Sequence, residues 1–227
     1  MPSSGNRLLA SLATDDFDLL EPHLKSVTLG LRKSLEKPNK RIDAVYFPES
    51  GFASVVAIQS SGKQVEVGLI GREGMTGLPI VLGNHRSPHA TYIQAAGNGQ
   101  RMPSSELRDA TRSSLSLRDS LLKYVQAFGV QTTHTAISNA QSRMDVRLAR
   151  WLLMAQDRIG GETLSLTHEF LSLMLAVRRA GVTDALNLLR KQGLVSYQRG
   201  KITVKNARDW SAWPAKRTAF PRRSTGD

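Results

Sequence analysis

The sequence predicts an α+β protein made of an N-terminal antiparallel β-roll (a jelly roll), one long helix, and a C-terminal pair of short helices followed by a two-stranded wing. Three observations predict it. Residues 29–99 carry short β-branched and aromatic runs separated by glycine- and proline-rich turns, the texture of a small antiparallel barrel. From Pro103 to Ile159 there is no further proline and one glycine, Gly129, while apolar residues recur at helical spacing. Between Leu164 and Lys205, two amphipathic segments flank a short turn and lead into a basic hairpin.

In the opening segment, Leu8, Leu9, Leu12, Phe17, Leu19, Leu20 and Leu24 alternate with Asp15, Asp16 and Asp18, and Thr14 is expected to cap a helix through its hydroxyl. Strand-like runs then place Val45, Phe47, Phe52, Val55, Val56, Ile58, Val65, Val67 and Leu69 between turn signals at Lys37-Pro38-Asn39, Pro48 to Gly51 and Gly71 to Gly74. Ser60-Ser61-Gly62-Lys63 reads as the turn of a hairpin. Thr91, Tyr92 and Ile93 form a further strand, and Gly97-Asn98-Gly99 is expected to turn the chain after it.

Pro103 suits the first position of a helix. Beyond it Leu115, Leu121, Leu122, Val125, Phe128, Thr132 and Ala136 make an apolar stripe. A stripe that long needs a partner, and a second copy of the same helix supplies one. Leu115, Leu121, Leu122, Val125, Phe128 and Thr132 are therefore candidate dimer residues. Met144, Leu148, Leu152 and Leu153 mark another helix after a junction at Asn139 to Asp145, ended by Gly160-Gly161.

Thr167 can cap the first short helix, whose apolar face is Phe170, Leu171, Met174 and Leu175. The second runs from Arg179 to Gln192 and ends at Gly193. Val182, Leu186 and Leu189 share one side of it, and Arg179, Ala180, Thr183, Asp184 and Asn187 the other. Leu194 to Tyr197, the turn Gln198-Arg199-Gly200-Lys201, and Ile202 to Val204 make the wing. The whole is a winged helix-turn-helix, a unit that inserts its second helix into the major groove of DNA. Its connecting turn, Ala176 to Arg179, lacks the glycine common there.

Charge agrees with that reading. The chain of 227 residues has a formal charge of +12, an ordinary globular composition and no cysteine. Residues 139–227 hold 16 basic and 7 acidic side chains, against 15 and 12 in residues 1–138, so most of the excess lies with the helix pair and wing. The absence of cysteine excludes disulfides, thiolate zinc and iron–sulfur sites, and a cysteine nucleophile. No signal-like or membrane-spanning segment is read, and a cytoplasmic protein is expected. The glycine-rich run Gly68 to Gly77 lacks a P-loop ending. The histidines His23, His85, His89, His134 and His168 show no metal spacing, and no nucleophile elbow occurs, so neither a metal site nor an enzyme is expected.

The run Leu166-Thr167-His168-Glu169 to Val177-Arg178-Arg179, followed by Val182, Leu186, Leu189 and Gly193-Leu194-Val195, resembles the C-terminal domain of the Crp/Fnr transcription regulators of the cyclic-AMP-receptor-protein superfamily. Arg147 to Leu153 and the β-roll segment Val67 to Met75 are similar to the family in the same order. The resemblance implies residues 1–112 as an effector-type β-roll with flanking helices, 113–140 as a dimerisation helix, 141–209 as the DNA-binding domain and 210–227 as a basic flexible tail. It implies a homodimer on a pseudo-palindromic operator in double-stranded DNA, with RNA polymerase as a further partner and no membrane role. Arg179 matches the base-reading arginine of the family, suited to guanine O6 and N7. Ala180 and Asp184 depart from the glutamate and second arginine expected one and five residues on, which alters the target sequence. Base reading is thus assigned to Arg179, Thr183, Asp184 and Asn187, and backbone contacts to Thr167, His168, Arg178, Arg190, Arg199 and Lys201.

Cyclic-nucleotide binders of the superfamily use a Gly-Glu pair for the ribose and an Arg-Ser/Thr pair for the phosphate. Here Gly77 is followed by Leu78, which cannot bond a hydroxyl. Arg86-Ser87 and His89 lie near the second pair's position. Gly77, Leu78, Arg86, Ser87 and His89 are the candidate pocket, open to an anion if Arg86 reaches it. No cyclic nucleotide is expected, no iron–sulfur cluster is available, and the effector is unassigned. The alternative is a β-roll that binds a small ligand or a protein, without sequence-specific DNA binding.

Overall fold

The computed structural model describes residues 4–159, 161, 163–198, 200–205 and 210. The chain divides into two units, Met1–Val130 and Gln131–Asp227, and the division falls within a long helix.

The first unit opens with α1 (Arg7–Ala10), α2 (Thr14–Leu20) and a 3-10 turn, Glu21–His23. Asn6, fully buried, caps α1 by accepting from Leu9 N, while its amide donates to the carbonyls of Pro48 and Gly74 at 2.8 and 2.9 Å. Thr14 is not a cap. It is the first helical residue of α2, Ala13 stands at the cap without a side-chain bond, and Asp15 and Asp16 in the first turn answer the exposed N–H groups electrostatically.

Seven strands follow: β1 (Lys25–Leu29), β2 (Ser34–Glu36), β3 (Ala44–Pro48), β4 (Phe52–Ile58), β5 (Gln64–Ile70), β6 (Ala90–Ala95) and β7 (Gly97–Pro103), with α3 (Leu78–Val81) between β5 and β6. They form two antiparallel sheets, β1-β7-β3 and β2-β6-β4-β5. The predicted hairpin is β4–β5, paired from Ala53↔Ile70 to Ile58↔Gln64, with Gly62 at φ 79 in its turn. Gly97 to Gly99 lie in strand β7 rather than in a turn. A Cβ at Gly97 would meet Ser50 O at 2.1 Å, and one at Gly99 would meet Phe47 O at 2.5 Å, so these glycines serve close backbone approach instead of chain reversal.

After Pro103 the helix breaks once more than its composition suggests. The segments are α4 (Ser104–Ser113) and α5 (Leu115–Gln141), divided at the extended residue Ser114. The Ser114 hydroxyl accepts from Leu117 N and donates to buried Asp16, so a cap and an acid on α2 together define the break. The start of α5 belongs to the core of its own β-roll. Leu117 and Leu121 are buried with Leu9, Leu20, Phe47, Met75, Met102 and Leu107, whereas Leu115 is 71% exposed. Leu121 is therefore a core residue, and Leu115 stands apart from that core.

The second unit contains the end of α5, then α6 (Met144–Ile159), β8 (Thr163–Ser165), α7 (His168–Met174), α8 (Arg179–Lys191), β9 (Val195–Gln198) and β10 (Lys201–Val204). The junction between α5 and α6 falls within the expected Asn139 to Asp145. The wing has a third strand that the sequence did not signal: the sheet order is β8-β10-β9, with Leu164 buried opposite Ile202. Trp210 is fully buried and its indole N–H donates to Lys205 O at 3.1 Å, so the domain extends to it and the expected tail does not begin there. The rest of that tail, 211–227, and Arg199 lie outside the described residues.

Leu121→Ala should destabilise the first unit by about 2–5 kcal/mol through a core cavity. Urea denaturation of the two proteins, followed by Tyr and Trp fluorescence, measures the difference.

Candidate nucleic-acid interface

Helix α8 presents its polar residues outward because its apolar ones are anchored. Val182, Ala185, Leu186 and Leu189 are buried among α6, α7 and the wing. At 3.6 residues per turn the opposite arc carries Arg179, Ala180, Thr183, Asp184, Asn187 and Arg190. Arg178, Arg179, Ala180, Asp184, Asn187 and Arg190 are exposed, and Thr183 is half-buried. Arg190 lies ~16 Å along the axis from Arg179, a spacing that suits a strand backbone better than the same base step. All four expected base readers thus share one surface, with Arg178 and Arg190 at its two ends. Lys201 is exposed at the start of β10 in the wing.

The turn before α8 is tight. Ala176 adopts φ 51, the left-handed region where the missing glycine would rest at lower cost, and Val177 N donates to Ser172 O at 2.9 Å. Thr167 caps α7 as expected, accepting from Phe170 N at 3.1 Å, which leaves its hydroxyl proton for an outside acceptor.

His168 takes a role the sequence did not disclose. Its Nδ1 lies 2.9 Å from Thr183 Oγ1, and its ring is 4.7 Å from that of Tyr197 on β9. Thr183 Oγ1 also donates to Arg179 O at 3.2 Å. One histidine therefore joins α7, α8 and the wing, and the Thr183 hydroxyl is held between His168 and Arg179 O. Burial, then the positive charge of Arg179, hold the His168 pKa below its ordinary value. Tyr197 was not expected at the site; the one hint was an aromatic beside the basic turn, and its pairing with His168 depends on the fold.

Arg147 supports this surface from behind. Its Nε donates to Asn139 Oδ1 at 3.1 Å and a terminal nitrogen donates to Leu175 O at the end of α7. Burial lowers its pKa.

In the β-roll, Gly77 and Ser87 come together at one buried group, Ser87 touches His89, and Arg86 turns away. Gly77 has φ 78, and a Cβ there would come within 2.3 Å of Val45 Cγ1, so no other residue fits. Leu78 begins α3. Ser87 is buried, with its hydroxyl 2.9 Å from His89 O, and burial lowers the His89 pKa. Arg86 does not reach the interior: it is exposed and its guanidinium donates to Asn39 O at 2.7 Å. The position is taken instead by a group the sequence reading passed over, the buried carboxyl of Glu36 on β2, which accepts from Gly77 N at 2.7 Å. Among the described residues, no cluster of three or more His, Asp or Glu could hold a metal ion, and no helix is long and apolar enough to cross a membrane.

A winged helix-turn-helix with an outward polar face is a DNA-binding architecture. Residues 146–209 match the family model of the Crp-like helix-turn-helix domain. Solved structures match nearly the whole chain. The c-di-GMP-responsive global regulator CLP of Xanthomonas campestris is 14% identical, with a TM-score of 0.67 over 86% of this chain and 100% of that one. A protein described as a transcriptional regulator of the Crp/Fnr family from Eubacterium rectale is 18% identical, with a TM-score of 0.69 over 89% and 95%. FixK2 of Bradyrhizobium japonicum is 15% identical, with a TM-score of 0.69 over 82% and 94%. No curated protein matches the sequence. Residues 146–209 are thus a Crp-like helix-turn-helix domain, and the chain shares its fold with these solved structures.

The depressed His168 pKa fixes a pH dependence. The unfolded chain takes up the proton first on acidification, so the neutral ring's contribution is full above the ordinary histidine pKa of 6.5 and is lost as pH falls below it. Thermal unfolding from pH 7.5 to 5.5 should show the second unit losing stability, with a shallower fall in His168→Gln.

Proposed function

We propose that the protein is a homodimer that binds a pseudo-palindromic operator, laying α8 of each protomer in successive major grooves. The observation that carries this is the exposed polar face of α8, held outward by the buried Val182, Leu186 and Leu189 and flanked by Arg178 and Arg190. Arg179 reads a guanine through its two-donor fork, with Thr183, Asp184 and Asn187 beside it. Arg178, Arg190, Arg199 and Lys201 meet phosphates, assisted by Thr167, while the His168 ring is engaged with Thr183 and Tyr197.

Dimerisation is assigned to α5, with Leu115, Leu122, Val125, Phe128 and Thr132 on the shared seam. Leu115, Leu122, Gly129 and Ala136 recur every seven residues along that helix, and Leu115 and Ile137 are 71% and 47% exposed near its two ends. Leu121 is not part of this assignment. The proposed domains are 1–112, 113–140 and 141–209, the last extended to the buried Trp210. RNA polymerase as a partner, a cytoplasmic location and a non-enzymatic role accompany the reading.

Selection of bound DNA from a random pool tests it. Arg179→Ala should lose discrimination at one base pair per half-site, about 1–3 kcal/mol. Lys201→Ala should weaken all sequences alike and reduce the salt slope by about one. If no sequence is selected, or if Arg179→Ala keeps the same preference, the recognition-helix assignment fails. Val125→Asp should shift the protein toward monomer in sedimentation and weaken binding to the full site more than to a half-site.

A further inference from the structure

The interior of the β-roll contains an acid with no cation assigned to it. Glu36 is 8% exposed and sits opposite Thr91 in the β2–β6 register. Gly77 N donates to its carboxylate at 2.7 Å, the buried hydroxyls of Thr91 and Thr76 act on the same group as donors, and the Ser87 hydroxyl is shared between it and His89 O, 2.9 Å away. These donors come from separate parts of the chain and are held independently of Glu36. Thr76 is fixed to Tyr46 through its backbone and hydroxyl, at 2.9 and 3.0 Å. Gly77 is held against Val45, and Ser87 N donates to Lys40 O at 3.1 Å. Arg86, the cation expected here, points to Asn39. Burial raises the Glu36 pKa while the four donors oppose the rise, which is the balance of a carboxylate solvated by neutral groups in place of water.

We propose that Glu36 is a built-in anionic ligand of the β-roll: its carboxylate fills a receptor formed by the Gly77 N–H and the hydroxyls of Thr76, Ser87 and Thr91, so the domain takes no small external anion until that side chain is removed. Truncation to alanine deletes a CH2–COO⁻ unit, which is the size and charge of acetate. The vacated receptor then accepts a small carboxylate, and the bulkier inorganic phosphate less well. The inference concerns the β-roll alone and does not depend on the operator reading.

The experiment is thermal unfolding of the full chain and of Glu36→Ala, titrated with sodium acetate, sodium phosphate, and sodium chloride at matched ionic strength. The unaltered protein should show the same salt response in all three. Glu36→Ala should unfold at a lower temperature and recover saturably with acetate beyond its chloride control, with a smaller response to phosphate. The recovery should be lost when Ser87→Ala is added. If Glu36→Ala is recovered unfolded, its refolding yield in acetate against chloride provides the same comparison. A saturable acetate or phosphate response in the unaltered protein would overturn the proposal, because the receptor would then be open. Equal responses of Glu36→Ala to acetate and chloride would overturn it too, since Glu36 would then occupy no receptor.

Discussion

The placement of the recognition helix depends on one cation. Arg147, in the first turns of α6, bonds Asn139 near the end of α5 and the Leu175 carbonyl that closes α7. The carbonyls at a helix C-terminus carry partial negative charge and lack partners within the helix, so a guanidinium there gains both a charge-assisted hydrogen bond and a favourable dipole. Leu175 leads directly into Ala176, whose left-handed backbone starts the turn to α8. Fixing Leu175 therefore fixes the origin of that turn, and the buried face of α8 against α6 and α7 fixes its direction. Arg150, one turn further along α6, bonds Thr135 at 3.1 Å and fastens α6 to α5 a second time. Within the second unit, the end of α5 and the helix-turn-helix are thus joined by polar bonds, while the helix pair itself is joined by an apolar core.

The β-roll is organised by a different constraint, the close passage of backbone. Gly51, Gly97 and Gly99 each stand where a Cβ would strike a carbonyl of a neighbouring segment within 2.5 Å, and at Gly74 it would strike the Tyr124 ring. Once the chain is drawn so tightly, polar groups are trapped inside, and each must be satisfied there. Asn6 does this with three backbone partners, and Glu36 does it with the Gly77 N–H and its ring of hydroxyls. The same closeness that excludes side chains at the glycines makes Glu36 hard for water to reach.

Much of this was legible from the residues. The glycine-punctuated strands, the β4–β5 hairpin, the α5–α6 junction, the two short helices and the wing all follow from local turn chemistry and apolar period, which act over a few residues. The failures are cases where a distant partner decides. Thr14 loses its capping role, Ser114 interrupts a good helical pattern because Asp16 is near, and the glycines at 97 and 99 are set by segments some fifty residues earlier in the chain. The third wing strand is three residues long, below the length at which alternation can be recognised. At the interface, the helical period alone placed Arg179, Thr183, Asp184 and Asn187 on one face. It could not show that His168 turns inward to Thr183 and Tyr197, because that contact joins three elements. In the β-roll, a cationic pocket was sought at Arg86 and a buried anion was overlooked, since a single Glu in a short strand is ordinarily solvated.

Those inward contacts restrict what α8 can read on the proposed operator. The Thr183 hydroxyl is engaged by His168 Nδ1 and Arg179 O, so toward a base it offers chiefly its methyl group. Asp184 is an acceptor, and its charge is repelled by every phosphate nearby, so it is tolerable only where a base presents an amino group, cytosine N4 or adenine N6. Asn187 can both donate and accept, which suits adenine. Arg179 is then the sole strong donor among the four, and a guanine on its strand is the natural counterpart. A guanine opposite Arg179 with an amino-bearing base opposite Asp184 satisfies both, whereas thymine or guanine opposite Asp184 would set acceptor against acceptor. On that proposed operator, the acceptor that excludes wrong bases matters as much as the arginine that attracts the right one.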